Sequence, residues 1–195
     1  MDKTLLSDHF LQHAELTSEE LDTICASYFP KFIGKGDFLL RRGEVARVEG
    51  FVVSGCFRVF TTDGEGAETN LYFAAEDWWL MDIDSFIHQT PSKLGFQAIE
   101  DSAVLIINKP DKERLYQIAP KVEHLFRVMY QKAVVAWQDR VIRNHTMNAE
   151  QRYHHFVSNY PEIAKKVTNR HIASYLGITH EFVSVIRKRR LERNI

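Results

Sequence analysis

Near the C-terminal end, His180, Glu181, Ser184, Arg187 and Lys188 bring together the side-chain types that recognise duplex DNA. A glutamate accepts from a cytosine amine, a histidine or serine reaches a base edge or a phosphate, and arginine and lysine neutralise phosphate oxygens. Arg189 and Arg190 extend the basic run, and part of that charge is expected to be merely solvated. Upstream, Thr168, Asn169 and Arg170 would open a helix whose free amides bind a phosphate oxygen, with Arg170 adding charge. Blander readings compete: Thr168 as a simple helix cap, and Glu181 as an acid suited to a helix N-terminus.

Such side chains need a scaffold, and residues 168–190 supply its pattern. Ile172, Ala173 and Leu176 fall at helical spacing and would face inward. Gly177 can take the left-handed conformation that ends a helix. Ile178 packs the turn, Thr179 caps a second helix, and Val183 and Ile186 give that helix its buried face. A small residue, then glycine, then two apolar residues at these intervals is the spacing of a helix-turn-helix. An ordinary helical hairpin with a basic end would need only some of these matches; all of them together favour DNA binding.

The chain has 195 residues, 45% hydrophobic and 12% aromatic, enough for one large or two small domains with a real core. The net charge of −1 hides an asymmetry: residues 1–149 carry 16 Lys/Arg against 22 Asp/Glu, and residues 150–195 carry 9 against 4. An acidic body with a basic C-terminal region places the polyanion-binding surface at that end. Cys25 and Cys56 form neither a metal spacing nor a CxxC, which fits a reducing compartment. The start carries no signal-peptide pattern, and no apolar run approaches the ~20 residues of a membrane helix, so a cytoplasmic protein with no membrane partner is expected.

Residues 4–27 read as helical, with Thr17 and Glu20 as a capping signal. Phe32, Phe38 and Leu40 then sit among glycines, and short apolar runs follow at 48–53, 56–61, 70–73, 96–99 and 104–107, with Asp63-Gly64 as a hairpin turn. This pattern predicts an antiparallel barrel or sandwich. A short helix is expected at 111–118. From Pro120 to about Asn144 there is no glycine or further proline. There Val122, Phe126, Met129, Ala133 and Ala136 form one apolar stripe, and Tyr130, Val134, Trp137 and Val141 form a second. One stripe would pack on the barrel and the other on a second subunit; a core helix of a single chain would also account for both. Helices at 148–159 and 162–167 lead into the motif. The expected architecture is α+β: a sensor barrel over 1–119, a long dimerisation helix over 120–147, and a helix-turn-helix domain over 148–195.

In this order the chain resembles the Crp/Fnr family of bacterial transcription regulators. The resemblance is strongest in IASYLGITHEFVSVIRK at 172–188. It extends to the turn glycines of Gly34-Lys35-Gly36-Asp37, Arg42-Gly43-Glu44, Val53-Ser54-Gly55 and Asp63-Gly64. It implies a jelly-roll barrel of the cyclic-nucleotide-binding kind, a homodimer along helix 120–144, and a winged-helix domain gripping a two-fold symmetric DNA site. RNA polymerase is a further expected partner. Cyclic-nucleotide binders of this family hold the phosphate with an Arg-Ser pair and the ribose with a Glu. Here those positions fall near Leu94, Gly95 and Asp84, and no arginine occurs between Arg58 and Arg114. Lys93 is the base nearby and a poorer match to a planar phosphate fork, so cyclic AMP is not expected as effector. Two cysteines 31 apart cannot supply the four thiolates of an iron–sulfur centre. The sequence runs seven residues past Lys188, so strands beyond the recognition helix are not expected. Many relatives place an arginine where Val185 stands, which changes the expected target sequence.

Trp78, Trp79, Asp82, Asp84 and Lys93 are the candidate effector-pocket residues, although adjacent tryptophans more often pack a core and a dimer edge. His88, His145 and the pair His154-His155 assemble with nothing else into a metal site. No Ser/His/Asp order, metal box or phosphate loop suggests an enzyme. The remaining rival is a small-molecule-binding barrel whose C-terminal helices mediate protein contacts.

Overall fold

The computed structural model describes residues 2–193, with side chains through Arg189. The side chain of Arg190, expected to meet phosphates, lies outside the described residues. Two helices come first, α1 (Thr4–Leu11) and α2 (Ser18–Ala26). The capping signal forms reciprocally: Glu20 N donates to Thr17 Oγ1 at 3.2 Å and Thr17 N to Glu20 Oε2 at 2.8 Å.

Eight strands follow, with one short helix among them: β1 (Phe29–Ile33), β2 (Phe38–Leu40), β3 (Val48–Ser54), β4 (Cys56–Thr62), β5 (Glu68–Ala75), β6 (Trp79–Leu80), α3 (Ile83–His88), β7 (Leu94–Ala98) and β8 (Ser102–Asn108). They form two four-stranded antiparallel sheets, ordered β1-β8-β3-β6 and β2-β7-β4-β5. Val52, Leu80 and Val104 from the first sheet pack with Phe57, Val59, Ala74 and Phe96 from the second. The five apolar runs of the sequence become β3, β4, β5, β7 and β8. The strands β1, β2 and β6 carry weaker signals: β2 and β6 are three and two residues long, and β1 contains Pro30 and buries only Ile33. Asp63 does turn the chain between β4 and β5, in a longer loop than Asp-Gly suggests. Its Oδ1 accepts from the amides of Glu65 and Ala67 at 2.9 Å each, and Gly66 takes the left-handed φ of 88°.

The remaining chain is helical: α4 (Lys109–Ile118), α5 (Pro120–Thr146), α6 (Ala149–Asn159), α7 (Pro161–Lys166), α8 (Asn169–Leu176) and α9 (His180–Arg193). Residues 148–193 contain no strand among the described residues. Pro120 occupies the first turn of α5, where its missing amide costs nothing. Val122, Leu125 and Phe126 at that end pack with Phe10, Tyr28, Phe51 and Trp79. Further along, Val134, Val135, Trp137, Val141 and Ile142 are exposed. Thus α5 joins the aromatic core of the barrel only through its first turns, and both sequence stripes run on into a largely uncovered apolar face. No helix is long and apolar enough to cross a membrane among the described residues.

A buried ion pair fixes the root of α5. Lys112 on α4 is 3% exposed and Glu49 on β3 is 1% exposed, and their side chains bond directly. Lys112 Nζ also donates to Tyr130 Oη at 2.8 Å, and Tyr130 Oη donates to Glu49 Oε1 at 3.2 Å. Burial pulls the Lys112 ammonium below its ordinary range while Glu49 opposes that shift. Removing one partner strands a charge, so Glu49→Ala should lower the unfolding free energy by about 3–5 kcal/mol. Glu49→Leu with Lys112→Met should restore most of it in urea titrations; equal losses in single and double variants would refute the coupling.

At the other edge, His9 ties α1 to the barrel. Its Nδ1 bonds Asp77 Oδ1 at 2.6 Å, and Trp79 Nε1 donates to its Nε2 at 3.1 Å. Nε2 therefore has to stay unprotonated. Burial holds the imidazole below its ordinary value of 6.5, against the pull of Asp77. A base whose folded value is depressed stabilises fully above its unfolded value and loses that contribution as pH falls. The melting temperature should therefore drop between pH 7.5 and pH 5, and His9→Gln should shrink the drop. His155 and His171, also held low by burial, preserve part of it. An unchanged drop in His9→Gln would count against this assignment.

Candidate nucleic-acid interface

The helices α8 and α9 meet across Gly177-Ile178-Thr179. Ile172, Ala173, Leu176, Val183 and Ile186 are all buried. Together with Tyr153, Phe156, Ile163 and Val167 they form one apolar cluster, which also takes in Phe73 of β5. Gly177 ends α8 at φ 64°, a left-handed value that costs a β-carbon-bearing residue strain. Thr179 Oγ1 accepts from Phe182 N at 3.2 Å, and Thr168 Oγ1 accepts from His171 N at 3.3 Å. Both threonines therefore cap helices.

Burying Val183 and Ile186 decides what α9 presents. At 100° per residue, Glu181, Ser184, Val185 and Lys188 lie opposite the buried pair, and all four are exposed. His180 sits at one flank of this face, with Phe182 and Arg189 at the other. Hydrogen bonds from its own backbone amide and from Thr179 hold the Glu181 carboxyl below its usual range, so it is an ionised acceptor. Arg187 is half-buried, and its Nε donates to Tyr153 Oη at 3.0 Å. Lys188 is therefore the basic side chain at the centre of the face, while Arg187 is tethered at its side. Thr168 and Arg170 are exposed beside Asn169 at the start of α8.

Sequence reasoning passed over several residues that shape this surface. Phe182 is an exposed apolar group of the kind that contacts a thymine methyl, and it stands near Val185, which the sequence marked only as a missing arginine. Arg152 on α6 donates to Met147 O at 2.8 Å and Leu176 O at 3.3 Å. Ser174 and His171 dock α8 onto β5: Ser174 Oγ donates to Glu68 O at 2.9 Å and accepts from Asn70 N at 3.0 Å. Asn70 Nδ2 donates to His171 O at 3.1 Å. No spacing rule marks these pairs, because their partners lie about a hundred residues away in sequence.

The candidate effector residues are not gathered at one place. Trp79 is buried with Phe10, Tyr28, Phe51 and Phe126 on the helix-covered face of the first sheet. Trp78 is half-buried, its ring 5.7 Å from that of Tyr160 on α6's C-terminal cap. Asp82 caps α3, accepting from Ser85 N at 3.1 Å and from Ser92 Oγ. Asp84 pairs with His88 at 2.9 Å in solvent. The Lys93 side chain is exposed, and its carbonyl accepts from Thr61 Oγ1 at 3.0 Å. The Phe60 ring covers Gly95 so closely that a β-carbon there would lie 2.6 Å from it.

Residues 30–118 match the family model of the cyclic nucleotide-binding domain. No curated protein matches the chain in sequence. Among solved structures it is similar to FixK2 from Bradyrhizobium japonicum, with a TM-score of 0.77, 19% identity and 86% of each chain covered. It is similar to the c-di-GMP responsive global regulator CLP of Xanthomonas campestris, with a TM-score of 0.72, 15% identity, and 91% of this chain and 93% of that one covered. It is also similar to the Thermus thermophilus catabolite activator protein, with a TM-score of 0.59, 18% identity, and 92% and 86% covered. The barrel is thus of the cyclic-nucleotide-binding type. The chain as a whole shares the fold of these three structures.

Gly177 offers a clean test of the turn on which α9 depends. A β-carbon there meets nothing within 4 Å, so only the backbone penalty remains. Gly177→Ala should cost about 1–2 kcal/mol of stability, read by thermal or urea unfolding; a neutral result would mean the left-handed turn is not required.

Proposed function

We propose that this chain is a DNA-binding transcriptional regulator of Crp/Fnr type. It acts as a homodimer through α5, and its barrel responds to an effector other than cyclic AMP. The observation that carries the reading is the face of α9 on which Glu181, Ser184, Val185 and Lys188 stand exposed opposite a sealed core. A helix so supported can enter a major groove, with Glu181, Ser184 and His180 at base edges and Lys188 at phosphates. Thr168, Asn169 and Arg170 would hold a second phosphate at the start of α8, and Arg187 a third if it leaves Tyr153. The exposed residues Val134, Trp137, Val141 and Ile142 support the dimer, because an apolar stripe of this length asks for a partner. The absence of any arginine between Arg58 and Arg114 supports a different effector. In this reading the protein regulates and has no catalytic role, its C-terminal domain is a winged-helix-type helix-turn-helix, and RNA polymerase is a further partner.

Fluorescence anisotropy with promoter-length duplexes across a salt series tests this. Tight binding, indifferent to cyclic AMP, is expected. Lys188→Ala should weaken binding and flatten the log–log salt slope by about 0.9, with a smaller effect for Arg187→Ala. Val134→Glu with Val141→Glu should yield monomers by light scattering and lose affinity with them. No binding to any duplex would favour a barrel whose helices contact proteins, and binding only with cyclic AMP would overturn the effector reading.

A further inference from the structure

Where α5 ends, a small open cleft lies between α5, α6 and the C-terminal end of α8. Arg140, Arg143, Arg152 and His155 line it together with Phe156 and Tyr175. No carboxylate lies within 4 Å of any of these three guanidinium groups among the described residues. Among the described arginines, Arg58 and Arg114 do have a carboxylate partner, Glu68 and Asp111.

Two of the arginines are partly spent on structure. Arg140 Nη2 donates to Tyr175 O at 3.0 Å, and its guanidinium lies 4.2 Å from the Tyr175 ring centroid. Arg152 reaches Met147 O and Leu176 O. Those bonds cap the carbonyl end of α8. They still leave Arg140 Nη1 and Arg152 Nε buried without an acceptor. A guanidinium does not deprotonate at neutral pH, so three like charges face one cleft with donors left over. Buried donors without acceptors are costly, and converging cations repel. An anion with several oxygens would supply both the acceptors and the charge. The planar guanidinium fork matches a phosphate group best.

We propose that this cleft binds a phosphate-bearing anion, held by Arg140, Arg143 and Arg152 at the junction of the long helix and the helix-turn-helix region. The cleft is small and open, so it can seat a phosphate group at its surface but cannot bury a large ligand whole. None of the lining residues belongs to α9, which places the site apart from the face that would lie on DNA. A free phosphate compound is therefore the occupant, and not the DNA backbone. The anion would join α5 to α6 and α8, bridging the segments whose relative position sets the presentation of α9. The proposal does not depend on DNA binding.

Calorimetric titration of the full-length chain with inorganic pyrophosphate, without DNA, tests it. Saturable binding near one per chain is expected. Arg143→Gln is the decisive variant, because Arg143 makes no side-chain hydrogen bond to the protein among those described, and its loss leaves the α8 caps intact. It should weaken binding at least about tenfold, with Arg143→Lys intermediate. Lys31→Gln, at an exposed position of β1, should leave binding unchanged. No saturable binding up to millimolar pyrophosphate would overturn the proposal. Binding that survives Arg143→Gln but is lost in Lys93→Gln would move the site to the barrel. If pyrophosphate fails to bind while Arg143→Gln flattens the salt dependence of DNA binding, the phosphate is that of DNA and the free-anion site is refuted.

Discussion

A buried ammonium must be answered by a buried anion, and in this chain that requirement fixes where the long helix begins. Lys112 and Glu49 come from α4 and β3, and Tyr130 of α5 completes the set with hydrogen bonds to both. The rings of Phe126 and Tyr130 lie close to the same ammonium, 3.9 and 5.3 Å from it at their centroids. One polar cluster therefore specifies the positions of three elements at once. Such a cluster contributes less net stability than an apolar core of equal volume, but it is intolerant of misplacement. Everything after Tyr130 in α5 takes its direction from this anchor.

The far end of α5 is held by a second set of polar contacts. Arg140 reaches the carbonyls of Asn70 on β5 and Tyr175 on α8, and Ser174 links α8 directly to Glu68 and Asn70. Phe73 of β5 contributes to the apolar cluster of the C-terminal helices. The barrel and the C-terminal helices therefore touch mainly through one strand, which is an edge of its sheet, with Lys166 paired to Glu100 at 2.7 Å and Trp78 packed on Tyr160 as further contacts. An edge strand offers unpaired backbone groups, and here Asn70 N and Glu68 O are taken up by a serine hydroxyl instead of another strand. A contact made of a few hydrogen bonds, one ion pair and two aromatic side chains, Phe73 and Trp78, is easier to exchange than a broad apolar interface. That is the physical basis on which a change in the barrel could reposition α9.

The exposed apolar face of α5 is the counterpart of this economy. The helix is buried on its own barrel only as far as the aromatic cluster around Phe126, and beyond it most of the stripe has no cover within the chain. Trp137 illustrates the transition, with its ring edge-on to Tyr72 at 6.2 Å while much of it remains in solvent. A single chain has no further surface to offer here.

Local chemistry was legible from the residues alone. The reciprocal cap at Thr17 and Glu20, the proline at the start of α5, the left-handed Gly177 and the burial of Ile172, Ala173, Leu176, Val183 and Ile186 each depend on neighbours within a few positions. Spacing is sufficient to specify them. Five of the eight strands were visible for the same reason, and the two shortest and β1 were not. Only the tertiary structure decided that Arg187 is tied to Tyr153, that Trp78 and Trp79 face different clusters, and that three arginines converge without a carboxylate. Each of those outcomes depends on groups brought together from distant parts of the chain. A one-dimensional pattern records which residues could pair, and only the packing of whole elements determines which of them are close enough to do so.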